Sequence, residues 1–101
     1  MSGEAWETIK CKGKLSKLVD TFIWEPMWPD DDTTITIKVY EDQNNEFEAI
    51  PDHALLQQGA NNPYYNMEIG KSSYEVLKNV ISSYQPYLKK ATKIIKHPSD
   101  D

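Results

Sequence analysis

An α+β fold is the expectation for this chain, on three observations. Residues 33–50 hold two alternating segments around a turn, a capped helical pattern opens at Ser72, and the elements run strand, helix, hairpin, strand, long helix. That order suits a small antiparallel sheet with helical cover on one face and a second face left open to partners.

The first element, Trp6 to Cys11, alternates well enough for a short strand that stops at Gly13. From Leu15 the spacing turns helical. Leu15, Leu18, Val19, Phe22 and Ile23 recur on one side and leave Ser16, Lys17, Asp20 and Thr21 on the other, which predicts a short amphipathic helix. A strand is the runner-up, because Thr21 to Trp24 is β-prone. Residues 25–32 can continue neither element: Pro26 and Pro29 remove backbone donors, and Asp30, Asp31 and Asp32 repel one another.

Thr33 to Tyr40 then alternates cleanly, with Ile35, Ile37 and Val39 on one face. Glu41 to Asn45 is turn chemistry, and residues 46–50 return as a second strand stopped by Pro51, so a hairpin is predicted. Residues 52–63 end in a Gly59-to-Pro63 loop signal, and Tyr65, Met67 and Ile69 define a further strand over 64–69, closed by Gly70. Ser72 stands three residues before Glu75, the spacing of a reciprocal helix cap. The following stripe of Leu77, Ile81, Tyr84, Leu88, Ala91 and Ile95 passes through Pro86 in phase, predicting one long helix kinked there, or two helices broken near Gln85. Residues 1–97 are thus expected to form a single α+β domain and 98–101 a frayed acidic tail.

Composition narrows the function. The chain has 101 residues, enough for one core without disulfides, and its 39% hydrophobic content with 11% aromatics is too rich for a mostly disordered protein. A single cysteine, Cys11, rules out an internal disulfide and a cysteine-based metal cluster within one chain, and its expected place is a buried apolar site. No signal-peptide pattern opens the sequence and no apolar run reaches membrane-spanning length, so the expectation is a cytoplasmic protein. The net charge is −5, carried with eleven lysines and no arginine. Arginine usually supplies bidentate contacts to phosphate and guanine, so direct nucleic-acid binding is disfavoured. The charge is also unevenly spread: residues 1–68 hold thirteen acids against five lysines, and residues 69–101 three acids against six lysines.

No constellation for catalysis stands out. Asp52 and His53 are adjacent, but no nucleophile or second histidine lies at a diagnostic spacing, and a surface loop explains them. His97 reads as a cation near a helix end, and Asp30 to Asp32 as a solvated acidic run, because no calcium-loop pattern surrounds them. No cofactor or metal is expected. The segment Trp24-Glu25-Pro26-Met27-Trp28-Pro29 is more informative. Its tryptophans and methionine in a proline-stiffened, acid-bordered loop either lid the core or form a partner-facing peg. Tyr64 and Tyr65, with Asn62 and Asn66, make a second aromatic and amide-rich patch, either an ordinary loop or part of a ligand pocket.

Between residues 33 and 84, the hairpin, the fragment Phe47-Glu-Ala-Ile-Pro-Asp52 and the later Gln58-Gly59 resemble the antitoxin domain of HicB-type toxin–antitoxin pairs. That resemblance implies a hairpin followed by a strand and a helix. The stretch from Ala60 to Gly70 and the lack of a proline-glycine turn after Asp52 depart from it. The residues themselves point to an acidic, non-enzymatic inhibitor or neutraliser of a basic or nucleic-acid-handling protein, with Trp24, Met27, Trp28 and Asp30 to Asp32 as its contact set. The alternative is a small-molecule sensor or sequestering protein whose aromatic pocket is lined by Trp24, Trp28, Tyr64 and Tyr65, either within one chain or between subunits of a homo-oligomer.

Overall fold

In a computed structural model, which describes residues 5–29 and 31–97, the alternating stretch at the centre of the sequence becomes the centre of a four-stranded sheet. Strands β1 (Ser16–Trp24), β2 (Ile35–Asp42), β3 (Phe47–Pro51) and β5 (Glu68–Gly70) lie in the order β1-β2-β3-β5, with every pair antiparallel. The predicted hairpin is β2–β3, and its turn follows from side-chain chemistry. Asp42 Oδ1 accepts the Asn44 and Glu46 amides at 2.8 and 3.0 Å, and Asn45 takes the left-handed conformation (φ 61°) that asparagine tolerates better than most residues.

A second, two-stranded sheet pairs β4 (His53–Gln57) with β6 (Ala91–Lys96), and neither strand was expected. The signal that residues 52–63 carry is the loop at Gly59 to Pro63, and Ala54 and Leu55, consecutive apolar residues, give no alternation to mark a strand. Both are fully buried. The α-helix found among the described residues, α1 (Ser73–Leu88), starts where the cap pattern placed it: Ser72 Oγ accepts the Glu75 amide at 3.1 Å, while Glu75 Oε1 accepts the Lys71 amide at 2.8 Å. The sheet edge comes so close to this helix start that a Cβ at Gly70 would lie 2.8 Å from Glu75 Oε1 and 3.0 Å from Val76 Cγ1.

Four expectations are corrected. Residues 6–11 do not form a strand: Trp6–Thr8 is one 3-10 turn, and the Gln43 side chain donates to the Trp6 and Ile9 carbonyls in place of a neighbouring strand. Residues 15–23 are not a helix but most of β1. A bulge at Val19 shifts the register between Leu18 and Asp20, which makes a strand with an apolar face mimic helical spacing. The long helix does not reach Ile95. It runs through Pro86, with no break near Gln85, and ends at Leu88. A proline in the last turn leaves only the Ser82 carbonyl without its helical donor, and Ser82 is exposed to water. Beyond the Lys89-Lys90 turn, Thr92, Ile94 and Ile95 are β-branched, and Ile94 and Ile95 pair with Leu55 and Ala54 of β4. The strand predicted over 64–69 is also divided. Tyr64 makes an isolated bridge to Leu55, and only Glu68–Gly70 joins β3.

The core lies between α1 and one face of the larger sheet, and includes Ile35, Ile37, Val39, Ala49, Leu55, Val76, Val80, Tyr84, Ala91 and Ile94. The helix buries Val76, Val80, Tyr84 and Leu88, so its stripe is turned one residue from the expected Leu77 and Ile81, which flank it half-buried. The opposite sheet face carries Leu18 and Ile23 from β1, Tyr40 from β2 and Ile69 from β5, and α1 does not cover it.

Candidate functional site

Two places hold the residues singled out from the sequence, and their surroundings differ. The first is the corner where β3 gives way to β4. Asp52 joins the two sheets: its amide donates to the Thr36 carbonyl at 2.9 Å, its Oδ1 accepts the Thr36 amide at 2.9 Å, and its carbonyl accepts the His97 amide at 3.0 Å. The same Oδ1 lies 2.6 Å from His53 Nδ1. Asp52 and His53 are therefore not a loose surface pair, but the same aspartate also fastens the corner to β2 through Thr36 and to the end of β6 through His97.

Aromatic rings pack behind this corner. Tyr84 is fully buried and its hydroxyl donates to the His53 carbonyl at 2.8 Å; burial of the phenol pushes its pKa up, so it stays a neutral donor. Tyr64 meets Tyr84 edge-on at 5.4 Å between centroids and stacks on Tyr87 at 3.9 Å. Tyr65 donates to the Pro51 carbonyl at 2.8 Å and stacks on His97 at 3.6 Å. His97 thus follows β6 and lies against a ring, not at a helix end. Asn66 bonds Glu68 and Ser83, and Asn62 is exposed. Tyr64 and Tyr65 of the suggested ligand pocket are thus engaged in packing with Tyr84, Tyr87 and His97. A shallow cleft of about 330 Å³ does lie on the open sheet face beside the corner, but polar and charged groups dominate its lining: Thr36, Lys38, Tyr40, Asp52 and Lys96, with Ile50.

The second place is the loop that joins β1 to β2, and here the aromatic pair separates. Trp24 is the last residue of β1, on the face toward α1, and packs against the core with its ring 6.3 Å from that of Tyr84. Met27 and Trp28 point the other way, 61% and 54% exposed. Met27 holds a left-handed backbone (φ 66°) between Pro26 and the cis Trp28–Pro29 peptide. Ile23, 68% exposed on the open sheet face, extends the apolar surface into β1. Glu25, Asp31 and Asp32 are exposed around it, and Asp30 lies outside the described residues. The two tryptophans thus separate: Trp24 lids the core, and Trp28 lies largely in solvent.

Other sequence candidates stand apart from both places. Cys11 is exposed, against the expectation of burial, because the segment that carries it is not part of a sheet. Among the described residues, which leave out Asp30 of the acidic run, no three His, Cys, Asp or Glu side chains are grouped to hold an ion. Among the same residues no helix is long and apolar enough to cross a membrane. The half-buried Trp6, whose Nε1 is buried without a hydrogen-bond partner and whose ring has Lys17 Nζ 5.0 Å above it, was not singled out from the sequence. Compared with protein-family models, with curated proteins and with solved structures, the chain matches none, and the HicB-type resemblance rests on its layout alone.

Proposed function

We propose that this chain is a non-enzymatic acidic binding protein that blocks or neutralises a basic, nucleic-acid-handling protein partner through the β1–β2 loop. One observation carries the reading: Met27 and Trp28 are presented to solvent on a loop stiffened by Pro26 and Pro29, with Glu25, Asp31 and Asp32 exposed beside them. Large rigid side chains give most of the binding energy at protein interfaces, and a loop already held in shape loses little entropy on docking. The surrounding carboxylates would speed encounter with a basic surface and make the complex sensitive to salt. The net charge of −5 acts in the same direction.

The experiment is capture of partners from host lysate by wild type and by Trp28→Ala, followed by salt elution. Under this reading one basic protein is retained stoichiometrically by wild type, leaves with added salt and is lost with Trp28→Ala. Equal retention by the variant would sink the peg.

A further inference from the structure

We infer that β1 is a self-association edge, on which a second copy of the chain pairs antiparallel and joins two four-stranded sheets into one. This goes beyond the loop reading and does not depend on it.

The first observation is the edge itself. The sheet ends on one side with β5, three residues long, and on the other with β1, nine residues long, whose only strand neighbour among the described residues is β2. Val19, Phe22 and Trp24 pack against the core yet stay only partly buried, and Leu18 and Ile23 are exposed, so no residue of β1 is fully covered. A long apolar edge strand offers unpaired backbone groups to another strand, and natural proteins either protect such an edge or use it.

Charge selects the occupant. Residues 10–17 carry Lys10, Lys12, Lys14 and Lys17 without an acid, and residues 18–32 carry Asp20, Glu25, Asp30, Asp31 and Asp32 without a lysine. The sequence through and around the strand is therefore basic before Leu18 and acidic after it, with Lys17 and Asp20 as the charges within β1 itself. A twofold axis through an antiparallel β1 pair sets the basic end of each copy toward the acidic end of the other, and satisfies both ends at once. An unrelated basic segment would meet the acidic end and be repelled by the four lysines.

The bulge supplies the register. Residues three apart on a regular strand face opposite sides, yet Lys17 pairs with Glu41 and Asp20 with Val39, two β2 positions that share a face. The extra residue at Val19 brings Lys17 and Asp20 to the same side. Centring the twofold between Leu18 and Val19 then opposes each Lys17 to the other copy's Asp20, so that the same cross-strand ion pair forms twice.

Sedimentation of the purified full chain over a concentration series tests this without any other protein. Wild type should form a dimer at low salt that weakens as salt is added. Lys17→Glu and Asp20→Lys, each alone, set like charges opposite one another twice, and should weaken the dimer by about tenfold or more. An equimolar mixture of the two restores both ion pairs and should recover the dimer. A wild type that stays monomeric at low salt throughout the series overturns the inference, as do two variants that associate as well as wild type. Circular dichroism identifies a variant that fails to fold. In that event amide NMR shifts of wild type on dilution decide: changes centred on residues 16–24 support the edge, and changes elsewhere overturn it. Because no partner from lysate is involved, this result stands apart from the fate of the loop reading.

Discussion

The two ends of the sheet's usefulness meet at Trp24. On the side of α1, the strands offer Ile35, Ile37, Val39 and Ala49 to a helix that supplies Val76, Val80 and Tyr84, and all of these are fully buried. On the side of β1 and its loop, Ile23, Met27 and Trp28 have comparable apolar bulk and remain largely in water. Composition alone does not separate the two regions, since both are rich in aromatic and branched residues. What separates them is whether a second layer exists to receive the side chains. The helix provides one for the first region, and a partner or a second copy would provide one for the other.

The largest expected effect lies in the covered region. Tyr84→Ala removes a fully buried ring, its contacts with Trp24 and Tyr64, and a hydrogen bond to β4. A loss of about 3–5 kcal/mol in unfolding free energy is expected in urea titration, enough to threaten the fold of a marginally stable domain. Asp52→Ala should come next. It leaves the Thr36 amide and His53 without their carboxylate partner, at a cost of about 1–3 kcal/mol, and a change near zero would show that the corner is held by backbone pairing alone.

A smaller effect is set by pH. The Glu46 amide, and with it the Asn44 amide, holds the Asp42 carboxyl below the usual carboxylate value, although its burial works against this. A carboxylate whose folded pKa is depressed contributes stability that is fully present above its unfolded value, near about 4, and lost as pH falls through the folded value. Asp42→Asn should therefore lower stability at neutral pH and flatten the acid limb of a denaturant-midpoint profile. An acid limb identical to wild type would contradict this. The smallest effect on stability belongs to Trp28→Ala, within about 0.5 kcal/mol, because little of the ring is packed. If that variant instead unfolds the protein, the loop belongs with the covered region and the contrast between the two collapses.

Much of the covered region was legible in the sequence. The alternation of β2 and β3, the Asp42-to-Asn45 turn and the Ser72 cap each depend on residues within a few positions of one another. The less legible parts depend on distant partners. Nothing near Lys17 announces that β2 will pair with it, and nothing near Ala54 announces β6. The candidate site divided in the same way: the proline-flanked loop and its acids could be read locally, but the opposite fates of Trp24 and Trp28 could not, because Trp24 turns inward only where α1 brings Tyr84.

The sequence by itself determined an α+β chain with a small antiparallel sheet, one capped helix, a turn at Asn45 and a proline-stiffened loop bordered by acids, since turn chemistry, caps and clean alternation act over short range. Tertiary structure alone decided that residues 16–24 are a strand, that the helix stops at Leu88 and that Ala91–Lys96 pairs with β4. Short apolar segments fit a helix or a strand nearly equally well, and the choice falls to whichever distant backbone is in place to complete their hydrogen bonds.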